Sequence, residues 1–142
     1  MKIIESEFSQ HILKSEKISL GEIHFFNHIA VIEFKEGVHV DIHNISEIFK
    51  KLISHFGISR PFGIIANRVN SYSINLLDIN SFKEIMNNLC AYGVISHNSA
   101  SAMNAEIESN FCSRENIHFK NISDGVNYVY SRVKTKISVS LN

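Results

Sequence analysis

Proline and glycine are scarce in this 142-residue chain, at one and six, tryptophan is absent and cysteine occurs twice. So little Pro and Gly leaves no flexible linker, and at 44% hydrophobic content the chain is read as one domain with an ordinary core. Cys90 and Cys112 share no ligand spacing and are too few for a disulfide scaffold, which points to reduced thiols in a cytoplasmic protein. An excess of charge of either sign is also missing. Fourteen basic and fourteen acidic residues cancel, so no global field draws the chain to nucleic acid, an anionic membrane or an acidic substrate. No run approaches the ~18 apolar residues of a membrane span, and acidic residues interrupt the opening M-K-I-I-E-S-E-F, so no signal peptide is expected.

Catalytic signatures are missing too. Gly57, Gly63 and Gly93 stand alone, which excludes a glycine-rich phosphate loop. There is no G-x-S-x-G elbow and no H-E-x-x-H, and neither cysteine has an adjacent histidine signature. Glu106 and Glu108 read as an exposed helix face. The expectation is therefore a non-enzymatic protein with no cofactor.

What is present is a clear order of elements organised around residues 61–75, P-F-G-I-I-A-N-R-V-N-S-Y-S-I-N. Phe62 to Ala66 is an unbroken apolar run between a proline and polar loop residues, the pattern of a strand buried on both faces. Ahead of it, residues 17–25 alternate, with Gly21 read as a bulge or close backbone contact, and residues 29–34 complete a hairpin. Ile45, Ile48, Phe49, Leu52, Ile53 and Phe56 then lie at helical spacing, with Asp41 or the Asn44/Glu47 pair as its cap and Gly57 as its stop. After the central strand, Ile79, Phe82, Ile85, Met86 and Leu89 predict a second helix. Residues 91–96 predict a strand, and Ala100, Met103, Ile107 and Phe111 a third helix. Residues 117–120 predict a short strand, and Ile122, Val126, Val129, Tyr130 and Val133 a last helix. The fold class is α/β: a mixed sheet of about five strands, an N-terminal hairpin followed by alternating strand and helix, with about four helices and right-handed crossovers. Residues 1–16 are expected to form an arm on the sheet edge, 17–136 the domain and 137–142 a frayed tail.

Two groups of residues are candidates for chemistry. His39, Asp41 and His43 place two imidazoles and a carboxylate on one face in extended conformation, a weak metal candidate whose bland alternative is a strand-to-helix turn. The second group follows from topology, because ligands of open α/β sheets collect beyond the carboxyl ends of parallel strands. Arg68, Asn70, Ser71 and Tyr72 belong to that rim after the central strand, and His97, Asn98 and Ser99 after the next one. Arg68 is its one strong anion receptor. Loop solvation and helix capping are the commoner uses of such residues.

The opening hairpin ending V-I-E-F-K-E-G, the central I-I-A-N-R-V-N-S-Y-S-I-N and the closing I-H-F-K-N-I-S-D-G-V-N-Y-V-Y-S-R-V resemble a STAS domain, the anti-sigma-factor-antagonist fold of SpoIIAA and its relatives. The resemblance covers roughly residues 17–135 and extends to the STAS-like and SEC14-like single-domain proteins of bacteria. It implies a regulatory or protein-interaction module with an unidentified protein partner, a homodimer as one form of it. The SEC14-like comparison implies the alternative, a carrier or sensor of a small apolar or anionic ligand in which Phe25, Phe26, Phe34, Phe49, Phe56 and Phe62 line a pocket or simply fill the core. Signalling STAS domains end the central strand in aspartate and carry a phosphorylated Asp-Ser at the next helix start. Here those aspartates fall on Asn67 and Asn75 and the serine on Leu76 or Leu77, so the phospho-acceptor is missing.

Overall fold

The structure, a computed structural model, describes residues 1–78, 81, 86–112 and 118–141. Its main sheet has six strands: β1 (Lys14–Ile18), β2 (Gly21–Phe25), β3 (Ile29–Phe34), β5 (Phe62–Arg68), β7 (Leu89–Ser96) and β8 (His118–Phe119). Two short strands, β4 (His39–Val40) and β6 (Ser73–Ile74), pair in parallel as a separate ribbon. The described residues contain three α-helices: α1 (Ser46–Phe56), α2 (Ser99–Cys112) and α3 (Ile122–Leu141).

The strands stand in the sheet in the order in which they occur in the chain, β1-β2-β3-β5-β7-β8. The first three form an antiparallel meander and the last four run parallel. When each strand is added on the same side of the last, right-handed crossovers put every connecting helix on one face. α1 and α2 do share a face: Tyr92 of β7 packs both against the α1 core and against the Ala66, Val94 and Ala105 cluster under α2. The other face is left to elements that are not crossovers. α3 covers it with Ile122, Val126, Val129 and Val133, and the N-terminal segment adds Ile3, Phe8 and Ile12.

β5 has parallel neighbours on both sides and is buried along its whole length, as its apolar run predicts. Alternation sends Phe62, Ile64 and Arg68 to the α1 and α2 face and Ile65 and Asn67 to the α3 face. α1 buries Ile48, Leu52 and Phe56 of its expected stripe, whereas Ile53 is exposed. Phe56 stacks on Phe62 at 4.6 Å, and Phe25 and Phe34 lie in the same core.

Several expectations need correction. Residues 17–25 are not one strand: the chain turns at Ser19 and Leu20, so a six-stranded sheet replaces the expected five. Leu20 is buried and continues the alternation of Ile18 into the turn, and the apolar positions then shift from even to odd at Ile23 and Phe25. Gly21 does make a close backbone contact, since a Cβ there would collide with the carbonyl of Glu33. β1 begins at Lys14, within the stretch read as an arm, and α3 continues to Leu141, through the stretch read as a frayed tail. Ahead of the expected second helix, Leu76–Asp78 form a 3-10 turn, and Leu89 belongs to β7. Ile79, Phe82, Ile85 and Ile117 lie outside the described residues.

Candidate functional site

The parallel strands never reverse their order, so their carboxyl ends lack the switch-point crevice that usually receives ligands in α/β sheets. Two buried polar clusters stand there instead, one on each face, and adjacent residues of β5 supply both.

On the α2 face, Arg68 meets Glu108 at 2.8 Å with both side chains 3% exposed. Arg68 Nη2 also donates to the carbonyl of Tyr72, and its guanidinium lies 3.9 Å over the Tyr72 ring. Tyr72 donates its hydroxyl to Glu108 Oε1 at 2.7 Å and Tyr92 donates to Oε2 at 2.6 Å. Burial pushes the Glu108 carboxyl above its usual range, although Tyr92, Tyr72 and Arg68 pull the other way. Burial and the Glu108 charge push the Tyr72 phenol well up, so it remains a donor. Glu108 thus stands inside the protein and not on the exposed helix face expected of it.

On the α3 face, Asn67 is the junction. Its amide nitrogen donates to Glu33 Oε2 at 2.6 Å and to the carbonyl of Met1 at 3.0 Å. Its oxygen faces His97 Nε2 at 2.6 Å, which makes that nitrogen the donor. Burial holds the His97 pKa below its ordinary value, with Glu33 opposing. Glu33 also accepts the backbone N–H of Ile3. Burial alone would raise the Glu33 pKa, but His24, Ile3 and Asn67 hold it below the usual carboxylate range. The chain's own first residues therefore sit over the ends of β3 and β5.

The rim residues divide accordingly. Arg68 and Tyr72 come together around Glu108, inside the protein. Asn70 donates to the carbonyl of Phe34, and the Ser71 N–H donates to Glu36, which ties the loop to the end of β3. Asn98 accepts the N–H of Ser101 and caps α2, whose first residue is Ser99. His97 belongs to the opposite face.

His39, Asp41 and His43 do not gather. His39 pairs with Ser73 Oγ at 2.6 Å, and Asp41 accepts the N–H groups of His43 and Asn44, closing the turn that leads into α1. Glu47, expected to box with Asn44, reaches Ser19. Among the described residues, the group whose ligand atoms converge is Glu22, His24 and Glu33. Its sequence signal was E-x-H on one strand of a hairpin, a face that strand alternation alone assigns to solvent. No helix among the described residues is long and apolar enough to cross a membrane.

Comparison with protein-family models, with characterised proteins and with solved structures gives no match.

Proposed function

We propose that the chain is a non-enzymatic interaction module of STAS type that holds a protein partner without a phosphorylation switch. One observation carries this. Leu77 is 91% exposed at the tip of the turn after β6, at the place where the resemblance puts the regulated serine. Asn75 accepts the Leu77 N–H at 3.0 Å and Asp78 accepts the Ile42 N–H, so the turn is anchored to the domain. A presented leucine buried by a partner contributes about 1.5–3 kcal/mol, roughly tenfold to a hundredfold in affinity. The partner is a protein with an apolar recess, and a second copy of the chain is one form of it. The meander followed by sequentially added strands and a terminal helix supports the family reading. The carrier alternative has less support, because Phe25, Phe34, Phe56 and Phe62 fill one another's space in the core.

The test compares the wild-type and Leu77→Asp chains by affinity enrichment from the source organism and by sedimentation. Loss of a reproducibly enriched protein, or of self-association, in the variant supports the reading. Identical partner sets and identical sedimentation would end it.

A further inference from the structure

β2 and β3 place Glu22 directly opposite Glu33, with His24 two residues further along the same face. Two carboxylates opposite one another on neighbouring strands repel. Glu33 is buried, so water cannot screen that repulsion fully. Lys17 of β1 faces Glu22 from its other side, outside the pair, and the space between the two carboxylates favours a cation.

His24 is aimed into this space. Its side chain is 2% exposed, and Nε2 lies 3.4 Å from Glu22 Oε2 and 3.4 Å from Glu33 Oε1. That nitrogen is buried and makes no hydrogen bond. An imidazolium gripping two carboxylates would close to about 2.7–2.9 Å. A separation of 3.4 Å is too long for that, but it is the edge of a tetrahedron whose corners lie ~2.0–2.1 Å from a central ion, which is about 3.3–3.4 Å.

The remaining atoms of two of the three side chains are already held. His24 Nδ1 pairs with Ser15 Oγ at 2.7 Å, and Glu33 Oε2 accepts from Ile3 and Asn67. Each therefore has one atom fixed by an outer partner and one free atom facing the common centre, the arrangement that orients metal ligands. Glu22 and Glu33 also line a cavity of about 330 Å³ open to the surface, which Lys2, Lys17 and Lys35 border as well. The cavity reaches the two carboxylates and gives an ion a route to them.

We propose that Glu22, His24 and Glu33 form a binding site for a divalent transition-metal ion, with zinc the best fit. Imidazole with two carboxylates whose ligand atoms all lie within 4.8 Å of one another suits zinc, whereas calcium and magnesium prefer oxygen donors throughout. The ion neutralises the facing glutamates and fastens the hairpin beneath the N-terminal segment. The site stands independently of the partner reading above.

The test titrates chelator-treated, full-length protein with zinc by calorimetry and with cobalt(II) by visible absorption. The wild-type chain takes up one equivalent of zinc with micromolar or tighter affinity, and cobalt(II) gives the strong bands of a four-coordinate site. Glu22 is the most exposed of the three, so Glu22→Gln leaves the fold intact and weakens zinc binding about a hundredfold. Ser15→Ala keeps the cobalt bands and weakens binding roughly tenfold. No saturable uptake overturns the site. So does equal uptake by the wild-type and Glu22→Gln chains, which would mark adventitious binding at surface histidines such as His39 and His43.

Discussion

Glu108 of α2 and Arg68 of β5 are forty positions apart in sequence and form a 2.8 Å ion pair in the interior. The two tyrosine hydroxyls and the Tyr72 carbonyl take up most of the pair's further bonding capacity, leaving Arg68 Nε buried without a hydrogen-bond partner among the described residues. Arg68, the strongest anion receptor by residue type, serves to lock α2 to the sheet.

Breaking that pair from one side leaves a bare buried charge. Glu108→Ala is expected to cost about 3–5 kcal/mol, and the Arg68→Met/Glu108→Leu double variant to regain most of it. Urea denaturation of Arg68→Met, Glu108→Leu and their double variant gives the coupling directly. A loss below ~1 kcal/mol for Glu108→Ala would mean that Arg68 has a route to water.

Tyr72 makes the same cluster sensitive to alkali. Its phenol pKa in the folded chain lies well above the unfolded value of about 10. The folded state therefore holds this proton more tightly, and the associated stability is complete below about pH 10 and lost as pH rises toward the folded value. Tyr72→Phe should cost about 1.5–3 kcal/mol at neutral pH, from the lost hydrogen bond to a charged group, yet flatten the alkaline decline. Unfolding midpoints measured from pH 7 to pH 11 check both; parallel declines in the two proteins would contradict the assignment.

The central strand was legible in the sequence because a strand buried on both faces has only one pattern, and Phe62 to Ala66 shows it. The amphipathic stripe of α1 was legible for a similar reason. What could not be read was which polar residues the tertiary structure buries. Glu108 sits in a helix with little overall amphipathicity, and its partners come from distant strands. Glu22 and His24 alternate with Ile23 and Phe25 as if facing water, and only the fold brings Ile3, Phe8 and Ile12 to that side of the sheet. The Ser19–Leu20 turn was hidden because its leucine is buried, and the change of phase from Ile18 and Leu20 to Ile23 and Phe25 reads equally as a bulge at Gly21.

Ile3 tests the role of the first residues. It is 1% exposed in the α3-side core, and its N–H is held by Glu33. Substitutions this close to a chain end are usually tolerated. Ile3→Ala should instead cost about 2–4 kcal/mol, the loss for a core isoleucine. Ile58, 80% exposed, is the control, and Ile58→Ala should change stability by less than ~0.5 kcal/mol. Thermal melts separate the two, and equal small effects would place the N-terminal segment off the sheet.

Close approach of α3 depends on Gly63. A Cβ there would lie 2.6 Å from Val129 Cγ1 and 3.0 Å from Val133 Cγ2. Gly63→Ala should therefore destabilise by about 1–3 kcal/mol through overpacking. Adding Val129→Ala removes the nearest clash, so the double variant should lose less than the sum of the two singles. Simple additivity in denaturant unfolding would show that the helix shifts without cost.

Asn67, next to the last residue of β5, serves as a donor in a way that aspartate could not. Its amide donates to Glu33 at 2.6 Å and to the Met1 carbonyl at 3.0 Å, two bonds a carboxylate cannot give. Asn67→Asp would set a second acid against the Glu33 carboxylate in a buried site. An expected loss of about 3–5 kcal/mol follows, larger than that of Asn67→Ala, which removes the donor without adding a charge. The acid already present one strand away is the obstacle, so the Asn67→Asp/Glu33→Gln double variant should recover much of the loss by reversing donor and acceptor. Urea unfolding of chelator-treated proteins keeps metal out of the comparison. If Asn67→Asp proves no worse than Asn67→Ala, water reaches this junction and the N-terminal segment does not seal it.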